Sequence, residues 1–230
     1  MDFSGKTFVV RVDEATARDA LTTFIDDLRV LAQHQVRPIV VAPDPAAARA
    51  LVRAMNRSAN VAVALDGSDA ALLPQGPGGI GRVQTRILFT LTGAGFIPVV
   101  EPTAFALFGE DAAVLADDVA AAIGTATEAA RAIFFHHAGG VSDPATQELI
   151  DELTPAEALE LAGDTRVEPH LRNAVRAAAL GVRGGIPAAQ IVDGRVAHAA
   201  LLEVLTDQHL GTRVTGGIYF GHVDGTPFIA

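Results

Sequence analysis

The sequence predicts an α/β protein built on a largely parallel β-sheet that helices cover on both faces. Three observations predict it. Short runs of β-branched and aromatic residues alternate with longer alanine- and leucine-rich stretches. Those runs are apolar at successive positions, the pattern of strands buried on both sides. The chain has 230 residues and is 50% hydrophobic, enough for one large core, although two small lobes would also satisfy that length.

The elements follow in order. Residues 7–12 (TFVVRV) read as a buried strand, and residues 14–33 as one helix with Leu21, Phe24, Ile25 and Leu28 on a common face. Residues 38–42 form the second strand. Residues 45–55 form a helix with Asp44 as N-cap and Pro45 as its first residue. Residues 61–65 are the third strand, and the run GPGGIG (76–81) is a flexible hairpin turn. Helices over 85–92 and 114–123 precede strands over 97–100 and 132–135. Residues 157–161 and 167–180 are helical. A strand over 188–192, a helix over 197–206 and a strand near 212–214 complete the pattern. No internal repeat is present, and the glycine-rich tail (216–230) has no assigned order.

Composition excludes several functions. The net charge is −10, with 17 basic against 27 acidic residues. No basic cluster and few aromatic platforms are present, so no nucleic-acid partner is expected. No apolar run is long enough to span a membrane, and the N-terminus lacks the marks of a secretory signal. The absence of cysteine removes disulfide, thiolate and thiolate–metal chemistry and suits a cytoplasmic location. Lys6 is the only lysine. His136 and His137 would point to opposite faces of a strand unless the chain turns there, and no other histidine spacing suits a metal, so no metal site is expected. There is no G-x-S-x-G, and GPGGIG neither follows a strand nor opens a helix as a phosphate loop requires. The carboxylates Asp13, Glu14 and Asp44 could hold Mg²⁺ or a cationic amine; they could equally be solvated helix starts.

Several segments, in order, resemble the acetylglutamate kinase family. They are GKTFVVRV (5–12), RPIVV (37–41), ALDGSDAALL (64–73), GRVQTRILFTLTGAGFIPVVEP (81–102), LADDVAAAIG (115–124) and AAQIVDGRVAHAALLEVLTDQHLGTRV (188–214). Each is weak alone; the ordered series is fairly specific. The resemblance implies a three-layer amino-acid-kinase sandwich over residues 1–230. Its acyl-substrate half would cover about 1–110 and its nucleotide half about 111–215.

The residues that family members use on phosphate are altered. Their first strand ends Lys-x-Gly-Gly; here those positions read Arg11, Val12, Asp13, Glu14. Their second strand leads into His-Gly-Gly-Gly; here it leads into Ala42, Pro43, Asp44, Pro45. Side chains block close backbone approach, prolines remove amide donors, and carboxylates repel polyphosphate. The long insertion carrying the family's substrate motif and dimer helix is missing between Ala46 and Leu65. After the strand over 132–135 the acidic residue has become His136–His137, although Gly140–Val141 is kept. The second lysine would fall near His170, where only Arg166 or Arg172 is close in sequence. The late Gly-x-Gly-Thr reads His209, Leu210, Gly211, Thr212.

The resemblance therefore implies candidate residues. Arg11 and Asp117 take the catalytic positions, with Asp117 holding Arg11 or serving as a helix-start carboxylate. Asp66, Gly67, Asp13 and Asp44 are the candidate substrate-binding residues, and His137, Gly140 and Arg172 the candidate nucleotide-binding ones. The expected function is a non-catalytic subunit that senses an amino-acid-like ligand or binds a partner, as a homo-oligomer or with a related kinase, with no cofactor. The alternatives are a divergent kinase using ATP and Mg²⁺ on a carboxylate of an N-acetylglutamate-like substrate, and a purely structural subunit.

Overall fold

The computed structural model describes residues 3–57, 59–77, 79–205 and 210–216. Thr206, His209 and the tail beyond Gly216 lie outside the described residues.

The first half runs β1 (Thr7–Arg11), α1 (Glu14–Asp19), α2 (Leu21–Gln33), β2 (Arg37–Val41), α3 (Pro45–Asn56), β3 (Ala62–Leu65), a hairpin of β4 (Gln75–Gly76) and β5 (Gly79–Ile80), α4 (Arg86–Gly93), β6 (Ile97–Val100), and a second hairpin of β7 (Thr103–Ala104) and β8 (Ala112–Ala113). The second half runs α5 (Ala116–Ala126), β9 (Arg131–Phe135), β10 (Glu152–Leu153), α6 (Pro155–Gly163), α7 (Pro169–Arg183), β11 (Ala188–Val192), α8 (Ala199–Leu205) and β12 (Gly211–Thr215). Eight of these strands form one sheet in the order β10-β12-β11-β9-β1-β2-β6-β3. All its pairings are parallel except that of β12 with β11.

The predicted α/β class with a mainly parallel, helix-covered sheet is what forms, and the alternation of β1 shows why. Phe8 and Val10 enter the core beneath α2 and α3, while Val9 enters the opposite core beneath α5 and α7. Side chains of a strand alternate between faces, so an apolar run serves both layers. Arg11 falls on the same face as Val9, toward α5.

One predicted element needs correction. The helix expected over 14–33 is two helices, broken at Ala20 (φ −127°, ψ 17°). Thr16 of α1 is buried near the strand ends, whereas Phe24, Ile25, Leu28 and Leu31 of α2 lie along the sheet. Each segment is in phase with its own contacts, so periodicity alone conceals the kink between them. The short strands β7, β8 and β10 carry no readable pattern at two residues each. No described helix is long and apolar enough to cross a membrane.

Candidate ligand cleft

In a parallel sheet the strands deliver their C-terminal ends to one edge, where ligands of open α/β proteins bind. Here β1 ends at Arg11, β9 at Phe135 and β11 at Val192. Beyond these ends lies a cleft of about 560 Å³, lined among others by Arg11, Asp13, Glu14, Asp117, His136, His137, His170, Asn173 and Arg195.

Arg11 and Asp117 face each other across it. Arg11 Nε lies 2.9 Å from Asp117 Oδ1, an ion pair rather than a well-aligned hydrogen bond. Arg11 also donates to the Phe135 carbonyl at 3.1 Å. Asp117 sits in the first turn of α5 and is buried. Burial raises its pKa, and the Arg11 charge opposes that rise without cancelling it.

His136 is the next buried polar group. The strand ends at Phe135, the chain turns, and the two imidazoles stack with centroids 4.4 Å apart. The two rings therefore do not point to opposite faces, because His136 and His137 already belong to the turn that Gly139 (φ +74°) completes. Ala138 N–H donates to His136 Nδ1 at 3.1 Å, which places the proton of the neutral ring on Nε2. That nitrogen lies 3.4 Å from Glu168 Oε2. Burial, reinforced by His137, pushes the His136 pKa down to about 4. Among the described residues no group of three or more His, Asp or Glu side chains is arranged to hold a metal.

The carboxylates of the two altered turns are occupied locally. Asp13 Oδ1 accepts the Thr16 amide at 2.8 Å, capping α1. Asp44 Oδ1 accepts the Ala47 amide at 2.8 Å, capping α3 with Pro45 as its first residue. Each cap satisfies a donor that a helix start otherwise offers to an anion. Replacing Asp44 with alanine is expected to lower stability by about 1 kcal/mol. Urea unfolding checks this, with Asp44→Ser avoiding most of the loss because its hydroxyl still accepts the Ala47 amide.

The remaining candidates are dispersed. Asp66 follows β3, three strand spacings or roughly 14 Å from β1 across the sheet, and its Oδ1 accepts the Ser68 amide and hydroxyl. Gly67 is a packing position: a Cβ there would collide with the Thr103 carbonyl. Gly140 (φ +150°) likewise lets β12 approach, since a Cβ would fall 2.6 Å from Leu149 Cδ1 and 3.2 Å from the Thr212 amide. Arg172 is on α7 but does not line the cleft, whereas His170 and Asn173 do. His137 lines it and accepts at its carbonyl from Arg195 Nη2 at 2.9 Å.

Arg195 and Glu168 carry no role in the sequence reading. Arg195 is pinned by Asp193 Oδ2 at 2.7 Å, and Glu168 caps α7 through the amides of His170 and Leu171. A carboxylate before Pro169 is a readable helix start. Its approach to His136 depends on where α7 lands on the sheet.

Comparison with known proteins agrees with this architecture. Residues 46–189 match the amino acid kinase family. The acetylglutamate kinase of Acidiphilium cryptum is 32% identical over 214 residues, covering 84% of this chain and 71% of that protein. That of a Nostoc species is 37% identical over 186 residues, covering 74% of this chain and 61% of that protein. In fold, the chain is similar to the N-acetylglutamate synthase of Neisseria gonorrhoeae complexed with coenzyme A and N-acetyl-glutamate. That superposition has a TM-score of 0.79 at 18% identity, over 94% of this chain and 61% of that one. The carbamate kinase of Giardia lamblia superposes with a TM-score of 0.65 at 12% identity, over 93% of this chain and 99% of that one. The order of strands, the Arg11–Asp117 edge and these likenesses together make the chain a member of the acetylglutamate kinase family.

Proposed function

We propose that this protein binds a small amino-acid-like molecule in the Arg11–Asp117 cleft and does not transfer phosphate. One observation carries the reading. The two turns that bear glycines in the family end here in Asp13 and Asp44, and each carboxylate occupies the amide at the head of its own helix. A polyphosphate would meet negative charge and spent donors where it needs free N–H groups. The cleft instead offers both signs, with the carboxylates of Asp13 and Glu14 and the guanidinium groups of Arg11 and Arg195 among its walls beside the buried His136 ring, as a zwitterion requires. The lack of cysteine supports a cytoplasmic setting. Asp66, Gly67, Gly140 and Arg172 have no direct role in this reading, since none lines the cleft.

A second reading keeps the chemistry. Similarity to proteins named acetylglutamate kinase and the surviving Arg11–Asp117 pair favour a divergent kinase. Such an enzyme would use Mg-ATP on a carboxylate, with Arg11 in the lysine position.

Thermal melting with Mg-ATP, L-arginine and N-acetyl-L-glutamate separates them. A ligand at about 100 times its Kd adds roughly 2.7 kcal/mol, a rise of about 5–10 °C for a chain of this size. The proposal expects that rise with an amino-acid-like ligand and none with Mg-ATP. A rise with Mg-ATP accompanied by ADP release in the presence of N-acetyl-L-glutamate rejects it in favour of the kinase.

A further inference from the structure

The Arg11–Asp117 cleft does not end at its own rim. Val114 and Leu115 line it, and the same two residues line a groove of about 720 Å³. Leu115 immediately precedes α5 and is 45% exposed. Beyond it, the α5 residues on the groove are Asp118, Ala121, Ala122, Thr125 and Ala126. Steps of three and four residues keep to one face of a helix, so α5 is the floor of the groove. From Leu115 to Ala126 that floor runs roughly 16 Å. Ile80 and Val83 wall it on the side of the β4–β5 hairpin, and Leu180 of α7, 43% exposed, walls it on the other.

The two connected spaces differ in chemistry. The cleft sets Asp13, Glu14 and Asp117 beside Arg11 and Arg195. The groove is lined by three charged side chains, and two of them cancel, because Arg176 Nη2 lies 2.7 Å from Asp118 Oδ1. The third is Arg82; alanine, glycine and aliphatic side chains make up nearly all the rest. A mainly apolar space with few polar groups suits a small molecule. A hydrocarbon arm asks for no hydrogen bonds there and gains free energy with each methylene taken out of water. Because the groove opens beside the charged cleft, one elongated molecule satisfies both.

We propose that the ligand of this protein is a zwitterionic amino acid with a long hydrocarbon side chain. Its head lies in the cleft, the ammonium toward Asp13 and Glu14 and the carboxylate toward Arg11 and Arg195. Its side chain crosses Val114 and Leu115 and lies along α5 in the groove. The proposal rests on the cleft reading given above and adds the tail to it.

Calorimetric titration of the full chain with L-norleucine, L-α-aminooctanoate and L-α-aminodecanoate tests it, with decanoate as a tail lacking the ammonium. Each pair of added methylenes should tighten the Kd about 10-fold, and decanoate should bind at least ~10-fold more weakly than L-α-aminodecanoate. Ala122 is half-buried on the groove floor. Ala122→Glu should abolish the gain with chain length and leave the affinity for L-norleucine unchanged. Leu180→Asp, on the opposite wall, should do the same, and thermal melting of both variants confirms that they fold. Equal affinities along the series, or a gain that survives both substitutions, overturns the tail and leaves the cleft reading standing. Decanoate binding as tightly as L-α-aminodecanoate also overturns it, by making the groove a site of its own. If L-arginine or N-acetyl-L-glutamate binds and no member of the series does at millimolar concentration, the tail alone is rejected. If none of these molecules binds, the cleft reading fails together with it.

Discussion

Replacing Asp117 with leucine while leaving Arg11 in place is expected to cost about 3–5 kcal/mol of folding stability. The side chains of Arg11 and Asp117 are only 13% and 6% exposed. Removing one partner strands a guanidinium that cannot lose its proton and has little water to turn to. The raised pKa of Asp117 shows that burial already outweighs the attraction of Arg11 for its carboxylate. The intact pair is therefore not a large source of stability; breaking it is what costs. The double variant Arg11→Met/Asp117→Leu should recover most of the loss, to within about 1 kcal/mol of the unaltered chain. Urea unfolding of the two single variants and the double one closes the cycle. A single Asp117→Leu loss under 1 kcal/mol would mean that water reaches Arg11 and that the pair is a surface contact.

Acidification should expose a second buried group. His136 is 2% exposed and its pKa is lowered from 6.5 to about 4. Between those values the unfolded chain binds a proton that the folded chain refuses. Stability from this residue is thus full above pH 6.5 and is lost as pH falls toward 4. The whole shift corresponds to about 3 kcal/mol. Asp117 works in the opposite sense: with its pKa raised, its contribution falls as pH rises through the window just above the ordinary carboxylate range. The informative quantity is accordingly a difference. His136→Phe and His136→Gln should both flatten the fall in stability between pH 6.5 and 4, whatever they do to the absolute value at neutral pH. Equal slopes for the variants and the unaltered chain would show that His136 is protonated in the folded state.

Much of this molecule was legible before any coordinates. The run TFVVRV announces a strand buried on both faces, and its alternation already puts Arg11 on the face opposite Phe8 and Val10. Asp44 followed by Pro45 announces a helix start, and Asp44 caps the Ala47 amide as such a pair should. These signals are local, because hydrogen bonds and φ preferences within a few residues produce them. The kink at Ala20 was not legible, since two helices in phase with different neighbours look like one periodic run. The stacking of His136 on His137 was hidden for a related reason. Whether consecutive residues oppose or stack depends on where a strand stops, and the end of β9 is set by its pairing with β11 and β1.

The candidate site divides along the same line. Residue identity shows that the turns after β1 and β2 are acidic and that the second also bears prolines. It marks Asp44 as the cap of its own helix, but it leaves open whether Asp13 caps α1 or faces a cation, and the fold turns Asp13 onto the Thr16 amide. The sequence reading gave Asp117 a place against Arg11 and Asp66 a place in a substrate-binding turn. The structure seats Asp117, on α5, against Arg11 and leaves Asp66 three strands away.

By itself, then, the sequence determined the alternation of elements, the two-faced core and the acidic turns after β1 and β2, because those depend on side-chain chemistry and nearest neighbours. Only the tertiary structure decided that Arg195 stands at the cleft, that Glu168 reaches His136, and that His136 stacks on His137. Those outcomes follow from the packing of elements far apart in the chain, and the chain's linear order carries no distance between them.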